Sequence, residues 1–481
     1  MDSVTLPPDS VLCVDLDGTL SRTDSMVECL FLLMKQRPWA MLLLPLWLLR
    51  GRAAVKAEIA RRVRFDPAIL VYNNELLNWL REEKSAGRKL VIASGADERI
   101  VKSVAAHLDL FDEIFASDGR INLTGARKAA VLKDRFSDFA YVGDGKVDLH
   151  VWKHASTAVL VARSSGREML LSKQIKFGRV FPAGQSQKSP LRLWIRAVRV
   201  HQWTKNMLLF APLVLAHMIY DVHKLAACAI GFVAFSLCAS SVYLLNDLLD
   251  LAADRDHPRK RARPFAAGDL PLQQGLVAIP LLLLAACALA FAVSWQFAGI
   301  LLFYYALTLA YSVDLKLRTL LDVFALAGLY SIRIIAGGIA AEVEVSAWLL
   351  GFSTFIFLSL AIAKRVAELD ALKGKSLDTY LHGRGYLVAD FNTLSILGIA
   401  AGYASVVVLA LYISAPEGHQ LYPHPQILWL LAPLLLYWVS RVWILTNRGR
   451  MVDDPILFAI KDRPSRVVAL AAALTVVLAA L

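Results

Sequence analysis

Two aspartates follow the first apolar run of the chain, in the sequence V-D-L-D-G-T-L, which places Asp15 and Asp17 two residues apart. Side chains at positions i and i+2 of a strand point the same way, so both carboxylates face one side of the strand end. One carboxylate can attack a phosphoryl group while the other transfers a proton, if Mg²⁺ neutralises the crowded charges. The pair therefore predicts phosphoryl-transfer chemistry.

Later segments supply further groups that such a reaction needs. Ser94 ends a second apolar run and offers a hydroxyl to a phosphate oxygen, and Lys128 offers a positive charge. Asp144 and Asp148, in the sequence G-D-G-K-V-D, follow a third apolar run. Each residue alone could instead cap a strand-to-helix turn, but the ordered set is more specific than any single motif.

The three apolar runs, Val11–Val14, Leu90–Ala93 and Phe139–Val142, alternate with helical patterns. This alternation is typical of a Rossmann-like α/β domain with a parallel sheet, in which the site lies at the carboxyl ends of the strands. We therefore expect the groups that follow these runs to meet at one edge of the sheet.

The order of the motifs, D-x-D-G-T-L, S-G, K and G-D-G-x-x-D, resembles the haloacid dehalogenase-like phosphatase superfamily over residues 11 to about 165. The resemblance implies a haloacid dehalogenase fold in which Ser21–Asn78 forms a helical cap that selects the substrate. It also implies these roles: Asp15 as nucleophile, Asp17 as acid/base, Ser94 and Lys128 as stabilisers of a phosphoaspartate, Asp15, Asp144 and the Asp17 carbonyl as Mg²⁺ ligands, and Asp148 as the residue that orients the metal site.

A second acidic group lies further along the chain. Asn246, Asp250 and Asp254 are spaced by four residues, so a continuing helix would place them nearly on one face. Such side chains repel one another unless a divalent cation bridges them, and protein-bound Mg²⁺ usually takes further ligands from a diphosphate and water. A solvated loop would explain the basic residues that follow, but not acids spaced by whole helical turns. The basic residues that follow can form charge-assisted hydrogen bonds with phosphate oxygens. They are Lys260, Arg261 and Arg263.

The pattern N-D-x-x-D-x-x-x-D, followed by H-P-x-K-R-x-R-P, resembles the UbiA superfamily of intramembrane prenyltransferases over about residues 190–481. The resemblance implies a nine-helix membrane bundle in which Mg²⁺ on Asn246, Asp250 and Asp254 binds a diphosphate. It also implies that Asp247 and Asp250 take part in catalysis. The aromatic prenyltransferases carry a second D-x-x-x-D motif, whereas this chain has K-R-V-A-E at the matching loop.

Four further segments, Q-W-T-K-N, Y-S-V-D-L-K, R-I-I-A-G-G and K-R-x-x-E-L, resemble the decaprenyl-phosphate phosphoribosyltransferases. In that branch the donor is phosphoribosyl pyrophosphate and the acceptor is polyprenyl phosphate, and their additional phosphates call for more cations and fewer carboxylates. Single residues also have simpler explanations, since Lys205 can extend to the membrane interface and Tyr311 can be a core residue. The resemblance assigns to substrate binding Lys205, Tyr311, Lys316, Arg333, Lys364, Arg365 and Glu368.

The composition also predicts a membrane domain. The 481 residues are 57% hydrophobic and 19% charged, with a mean hydropathy of +0.52, which is more apolar than a soluble globular chain. The stretch Pro38–Leu49 is apolar but too short to span, so we expect a cap helix or an interfacial contact. Hydropathy predicts an all-α bundle of about nine spans, at residues 206–220, 225–246, 274–294, 296–312, 320–341, 346–363, 392–414, 426–444 and 465–481.

The net charge of +12 is concentrated in residues 151–200, which carry ten basic residues and one acidic residue. A basic segment before an apolar region favours contact with anionic lipid headgroups over nucleic acid.

Basic residues also dominate the loops on one side of the bundle, which predicts a cytoplasmic N-terminal domain and, with nine spans, an outside C-terminus. The resemblance implies a bacterial plasma (inner) membrane. The five cysteines form no disulfide or zinc pattern.

We therefore expect a phosphatase domain at residues 1–177, a basic linker at 178–200 and a transmembrane transferase domain at 201–481. The expected enzyme transfers 5-phosphoribose from phosphoribosyl pyrophosphate to polyprenyl phosphate. It then removes the 5-phosphate to give polyprenyl-phosphoryl-ribose, a precursor of cell wall polysaccharide. One alternative is a prenyltransferase that uses a prenyl diphosphate and an aromatic or other acceptor. The others are a phosphatase on an inert anchor or transporter, and a non-enzymatic scaffold.

Overall fold

In a computed structural model, the structure describes residues 10–162, 165–182, 189–372, 374, 376–381, 383–416, 421–451 and 455–481. The chain divides into two compact units, the first formed by residues up to 198 with 243–279 and the second by residues 199–242 with 280–481. Residues 243–279, which the sequence assigns to the membrane domain, therefore pack with the first unit. The expected domain boundaries stay a prediction.

A parallel sheet forms the centre of the first unit. Its strands are β1 (Val11–Val14), β2 (Leu90–Asp97), β3 (Glu113–Ser117), β4 (Phe139–Gly143), β5 (Thr157–Ala162) and β6 (Phe177–Pro182). They pair in the order β3-β2-β1-β4-β5-β6, which confirms the predicted α/β fold and sets β1 between β2 and β4. Residues 178–182, expected in the linker, instead belong to β6 because Phe181 packs into the core of the sheet.

Alternate residues of the central strands face the two sides of this sheet. Leu12 and Val14 of β1 pack into one apolar core, whereas Cys13 packs into the other. In β4, Tyr141 lies on the same side as Cys13. The helices of the unit are α1 (Ser25–Gln36), α2 (Leu44–Leu49), α3 (Arg52–Arg62), α4 (Asn74–Ser85), α5 (Glu98–Leu108), α6 (Ala126–Arg135), α7 (Leu149–Trp152), α8 (Ser165–Ser172) and α9 (Pro190–Ala197).

The predicted helical cap comprises α1 to α3 and the 3-10 helix Pro38–Leu43 that precedes α2. It has its own small apolar core, in which Cys29 and Leu33 of α1 meet Trp47 of α2 and Ile59 of α3. Ile100 of α5 completes this core, so the cap packs against the sheet domain through that helix.

The remaining helices form an all-α bundle, as predicted. Within the described chain, eight helical segments are long and apolar enough to cross a membrane. Two of these segments begin with a 3-10 turn, Val388–Asp390 or Pro425–Leu430. The α-helices are α10 (Ala211–Leu215), α11 (Val222–Leu249), α12 (Leu251–Asp256), α13 (Leu272–Val293), α14 (Trp295–Val313), α15 (Leu321–Ala341), α16 (Ala347–Asp370), α17 (Phe391–Ser414), α18 (Leu431–Asn447), α19 (Pro455–Lys461) and α20 (Arg463–Ala480).

The first predicted span, residues 206–220, is not the continuous α-helix that hydropathy suggested. The structure has a 3-10 helix over Val200–Phe210, the short helix α10, and a left-handed residue at His217. A single α-helix at this position is therefore wrong. Hydropathy reports how apolar a segment is, and it does not separate the 3-10 from the α conformation.

Close backbone packing holds the 3-10 helix Val200–Phe210 against α15. A Cβ atom added at Gly337 would lie 2.0 Å from the Leu209 carbonyl oxygen and 2.7 Å from its carbonyl carbon. Only a residue without a side chain permits this approach, so Gly337 is required where the two helices meet.

We predict that Gly337→Ala destabilises the second unit by about 1–3 kcal/mol, because overpacking displaces backbone that cannot move cheaply. Gly328→Ala in the same helix is the matched control, because nothing lies within 4 Å of its added Cβ and alanine favours a helix. Thermal unfolding of the detergent-solubilised protein measures both. Equal midpoints for the two variants would contradict the prediction.

Candidate functional sites

Asp15 lies directly after β1, where its backbone N–H donates to the carbonyl of Val142 in β4 at 3.0 Å. Its side chain is buried, and Oδ1 accepts a hydrogen bond from the Lys128 Nζ at 2.9 Å. Burial raises the pKa of Asp15 to about 7, and the Lys128 ammonium opposes that rise. The arrangement keeps a buried carboxylate beside a cation that stabilises its ionised form.

Asp17 lies two residues further on, just before the chain reverses at Gly18, whose φ is 82°. Its Oδ1 accepts a hydrogen bond from the Ser25 backbone N–H, at the first residue of α1, at 2.7 Å. Burial and then the charge of Asp24 raise the pKa of Asp17 to about 8. A carboxyl group that keeps its proton near neutral pH suits the acid/base role that the sequence predicts.

A buried hydrogen-bond chain links the predicted cation to the last acidic motif. Lys128 of α6 donates to the Tyr141 hydroxyl at 2.8 Å, and that hydroxyl donates to the Asp148 Oδ1 at 2.9 Å. Asp148 Oδ2 accepts from the backbone N–H groups of Asp144 and Gly145, each at 3.1 Å. Sequence reasoning missed Tyr141, although it is the only polar side chain in an otherwise apolar buried strand.

Among the described residues, the acidic groups close enough to share a metal ion are Asp15, Asp144 and Asp148, whose ligand atoms lie within 4.8 Å of one another. Carboxylate oxygens are the ligands that Mg²⁺ prefers. The donor set at this edge of the sheet therefore fits the predicted ion, and β1 and β4 bring it together.

Ser94 lies in the neighbouring strand β2, where it is fully buried and its hydroxyl accepts from the Ala96 N–H at 3.1 Å. The next carbonyl, that of Gly95, accepts a hydrogen bond from Lys56 of the cap helix α3. Lys56 also donates to the Asn122 side chain at 2.9 Å. Burial lowers the pKa of Lys56, and the charges of nearby acids, Asp17 first, oppose that change. A cation of the cap therefore reaches the strand end that carries Ser94. Its only sequence signal is a lysine among alanine and valine residues.

We predict that Tyr141→Phe lowers the kcat for phosphate ester hydrolysis about tenfold, because one hydrogen bond is lost from Lys128 and one from Asp148. The KM should change little, because Tyr141 contacts protein groups only within the described site. Hydrolysis of an aryl phosphate by the full-length protein measures both constants.

Tyr72→Phe is the matched control for this change, because its hydroxyl donates to the Pro67 carbonyl at 2.9 Å outside the acidic site. If both tyrosine variants keep the same kcat, Tyr141 does not position the catalytic groups.

The second acidic group is arranged differently from the sequence prediction. Helix α11 ends at Leu249, and Asp250 has non-helical angles before α12 begins. Asp247 and Asp254 are buried and pair with Arg263 at 3.0 and 2.5 Å, whereas Asp250, with 38% of its side chain exposed, pairs with Lys35 at 2.8 Å. The expectation of a continuous helix through Asp250 is therefore wrong.

The structure thus brings Asp247, Asp254 and Arg263 together and directs Asp250 to the cap. Asn246 is half-buried near the end of α11, and Lys260 and Arg261 lie exposed in a 3-10 turn. The oxygen donors suit Mg²⁺, but two of the three proposed ligands form ion pairs here. A cation at this position would have to replace Arg263 or Lys35.

A buried ion pair within the first unit joins α12 to the cap. The Arg255 guanidinium binds the Glu28 carboxylate through two hydrogen bonds, of 2.8 and 2.9 Å, and both side chains are less than 10% exposed. Arg255 also donates to the carbonyls of Ile69 and Ala266 at 3.0 and 3.1 Å. This pair lies 227 residues apart in the chain, so no local pattern could predict it.

We predict that Glu28→Gln destabilises the first unit by about 3–5 kcal/mol, because Arg255 is left as a buried cation without its carboxylate. Heating the detergent-solubilised protein with a thiol-reactive dye would report the exposure of buried Cys29 in α1. Glu98→Gln is the control, since Glu98 forms an exposed surface pair with Lys102. A Glu28 variant as stable as the control would show that the pair does not hold the cap.

In the second unit, Arg365 is fully buried and organises a cluster of predicted site residues. Its guanidinium pairs with Asp322 at 2.5 Å, donates to the Tyr311 hydroxyl at 2.9 Å and pairs with Glu368 at 2.6 Å. The Tyr311 hydroxyl donates to Asp322 at 2.9 Å and accepts from Arg384 at 3.3 Å. Sequence reasoning missed Asp322, whose signal is an acidic residue at the start of an apolar helix.

Arg333 forms a second polar cluster inside α15. It is buried, and it donates to the Asn206 side chain at 2.7 Å, to the Tyr304 hydroxyl at 2.9 Å and to the Leu329 carbonyl. The Lys205 Nζ lies 5.7 Å from the Tyr330 ring, above which Arg333 also lies, at 5.6 Å. Lys205 and Arg333 therefore share one aromatic ring. Lys316 lies in a 3-10 turn after α14, and Lys364 lies in α16.

Residues 207–461 match the family model of the UbiA prenyltransferases, and residues 12–153 match that of the haloacid dehalogenase-like hydrolases. The chain therefore belongs to the UbiA prenyltransferase family, with a haloacid dehalogenase-like domain before the membrane bundle. Both are families of enzymes, and both predicted resemblances are confirmed. The family and the eight apolar helices identify a multi-pass membrane protein.

An uncharacterized protein, y4nM, of Sinorhizobium fredii is 38% identical over 458 residues, which cover 94% of this chain and 88% of that protein. A decaprenyl-phosphate phosphoribosyltransferase of Mycolicibacterium smegmatis is 40% identical over 196 residues, which cover 39% of this chain and 62% of that enzyme. A solved UbiA homolog from Archaeoglobus fulgidus, bound to DMAPP and Mg²⁺, gives a TM-score of 0.46 at 17% identity, with 59% of this chain and 96% of that chain covered. The similarity to the phosphoribosyltransferase is thus limited to part of each chain.

Proposed function

We propose that the membrane domain transfers 5-phosphoribose from phosphoribosyl pyrophosphate to polyprenyl phosphate, and that the N-terminal domain then removes the 5-phosphate. The product is polyprenyl-phosphoryl-ribose, which would serve as a precursor of cell wall polysaccharide. The observation that supports the proposal is a cluster of three carboxylates in a haloacid dehalogenase-like domain, which is fused to a domain similar to decaprenyl-phosphate phosphoribosyltransferases. A transferase that makes a phosphorylated sugar lipid explains why a phosphatase is fused to it.

In the phosphatase step, an Asp15 oxygen attacks the 5-phosphate and the bond from phosphorus to the ribose oxygen breaks. Asp17, whose raised pKa keeps a proton near neutral pH, gives that proton to the leaving oxygen. It then takes a proton from the water that releases phosphate from Asp15. Lys128 and Ser94 stabilise the transferred group, and Asp148 orients the site. Mg²⁺ held by Asp15, the Asp17 carbonyl and Asp144 would neutralise phosphate charge.

In the transfer step, the pyrophosphate leaves ribose C1, and an oxygen of the lipid phosphate forms the new bond at that carbon. Lys260, Arg261 and Arg263 would neutralise the leaving pyrophosphate, with Asp247 near the reacting groups. Mg²⁺ on Asn246, Asp250 and Asp254 would supply the same neutralisation. Further cations and polar groups would bind the two remaining phosphates, and these are Lys205, Tyr311, Lys316, Arg333, Lys364, Arg365 and Glu368.

We place the protein in a bacterial plasma (inner) membrane. The loops on the same side of the bundle as the N-terminal domain are basic, and basic loops face the cytoplasm, so we place this domain in the cytoplasm. An outside C-terminus needs nine crossings, so Val200–Leu215 must also cross. At about 2.0 Å per residue for a 3-10 helix and 1.5 Å for an α-helix, this segment reaches about 30 Å. That length is about the thickness of the hydrocarbon core.

The proposal predicts a distinct lipid product from each of two variants. Membranes that contain the protein are incubated with polyprenyl phosphate, Mg²⁺ and phosphoribosyl pyrophosphate labelled on the ribose. Wild type should yield labelled lipid without a 5-phosphate, and Asp15→Asn should yield labelled lipid that keeps it. Asp250→Asn should lower the amount of labelled lipid at least 100-fold.

Two exposed aspartates provide controls for the same chemical change, Asp138→Asn for Asp15 and Asp256→Asn for Asp250, and both should match wild type. Loss of the 5-phosphate in Asp15→Asn would refute the phosphatase assignment alone. No labelled lipid from any variant, in membranes that do transfer from a prenyl diphosphate, would favour a prenyltransferase with a separate phosphatase.

A further inference from the structure

The cap of the phosphatase domain exposes an unusually apolar segment. In the 3-10 helix Pro38–Leu43 and in α2, five large apolar side chains are more than half exposed, and we call them the cap patch: Trp39 at 59%, Leu42 at 82%, Leu46 at 58%, Leu48 at 57% and Leu49 at 86%. A cluster of exposed apolar side chains of this kind indicates a surface that binds another protein, a ligand or a membrane.

The opposite face of the same segment holds it firmly in the fold. Ala40 is fully buried and Trp47 is 5% exposed, and both belong to the apolar core of the cap. The Arg62 guanidinium also stacks on the Trp47 ring at 4.7 Å. The cap patch is therefore presented on ordered helices that are apolar on both faces, and it is not the loose end of a chain.

The charges around the cap patch are mostly basic, although Glu58, just after this stretch, lies 3.9 Å from Arg50. Residues 29–57 contain five basic residues and no acidic residue. Lys56 turns toward the phosphatase site, but Arg37, Arg50 and Arg52 are exposed at the two ends of the patch. An apolar surface with basic residues at its margin complements a bilayer, whose anionic headgroups surround an apolar interior.

Contacts within the first unit also connect the cap to the end of a membrane helix. Lys35, near the end of α1, pairs at 2.8 Å with Asp250, the residue that follows α11. Glu28 of the same helix binds Arg255 of α12. The cap patch begins four residues after Lys35, so it starts close to the end of a helix that is long and apolar enough to cross a membrane. This proximity favours the bilayer over a soluble partner.

We infer that Pro38–Leu49 is a bilayer-docking element, in which the cap patch enters the interfacial layer of the adjacent leaflet and the three arginines contact anionic headgroups. The inference requires the membrane helices but not the proposed function, so either can fail alone. Docking would hold the phosphatase cap at the depth where the headgroup of a lipid substrate lies.

The test measures the surroundings of single nitroxide labels on the full-length protein in liposomes of phosphatidylethanolamine and phosphatidylglycerol. Labels are attached at Leu46→Cys and Leu49→Cys in a Cys287→Ser background, since Cys287 is the only native cysteine that is not buried. Oxygen concentrates in the bilayer, whereas a water-soluble nickel chelate stays outside. We expect both positions to be at least threefold more accessible to oxygen than to the chelate.

Met169→Cys and Ile121→Cys, at exposed apolar positions of the same domain, are the matched controls and should show the reverse ratio. Chelate access at Leu46 and Leu49 equal to that of the controls would overturn the inference. So would protection from both reagents, which would indicate coverage by protein, either a second copy or another segment.

The arginine contribution predicts that the oxygen-to-chelate ratio falls when phosphatidylcholine replaces phosphatidylglycerol, and an unchanged ratio would refute the arginine contacts.

Discussion

Buried carboxylates need a nearby cation or hydrogen-bond donors, and this constraint organises the polar sites of the chain. Lys128 lies between Asp15 and Asp148, at 2.9 and 3.8 Å. Arg263 joins Asp247, in the last turn of α11, to Asp254 of α12. Without such partners, like charges in a medium of low dielectric would repel one another and shift toward the neutral form. Each site is therefore built as a cluster in which one cation partly balances the charge of two carboxylates.

The same balance affects how the predicted phosphate-binding cations can act. Arg365 is fully buried, and its guanidinium donates to Asp322, Glu368 and Tyr311. Its proposed contact with a substrate phosphate therefore requires an exchange of partners, in which the phosphate takes the place of a carboxylate. Lys56 of the cap is different, because its described partners are the Gly95 carbonyl and the Asn122 amide. Both of these partners are neutral, so the positive charge of Lys56 stays available to attract an anion.

Local patterns predicted what lies close in sequence. The strand-end aspartates and the parallel sheet follow from short motifs, because parallel strands bring their carboxyl ends to one edge. The sequence did not predict a role for Tyr141, because a single tyrosine in a buried strand is usually a core residue. The Glu28–Arg255 pair joins residues 227 positions apart, and the break in the helix at Asp250 interrupts a pattern that favours continuation. These features depend on tertiary packing, which one sequence does not display.

The first turn of α1 is shared by two sites of the first unit. The Ser25 N–H binds the carboxylate of Asp17, and Glu28, one turn later, binds Arg255 beside Asp254. The two contacts lie about 5 Å apart along the helix axis, since three residues rise 1.5 Å each. A short helix moves as a rigid body, so a displacement of α1 that breaks the Glu28 pair also moves the Ser25 N–H away from Asp17. The position of the cap therefore bears on the acid/base carboxyl and on the second acidic group together.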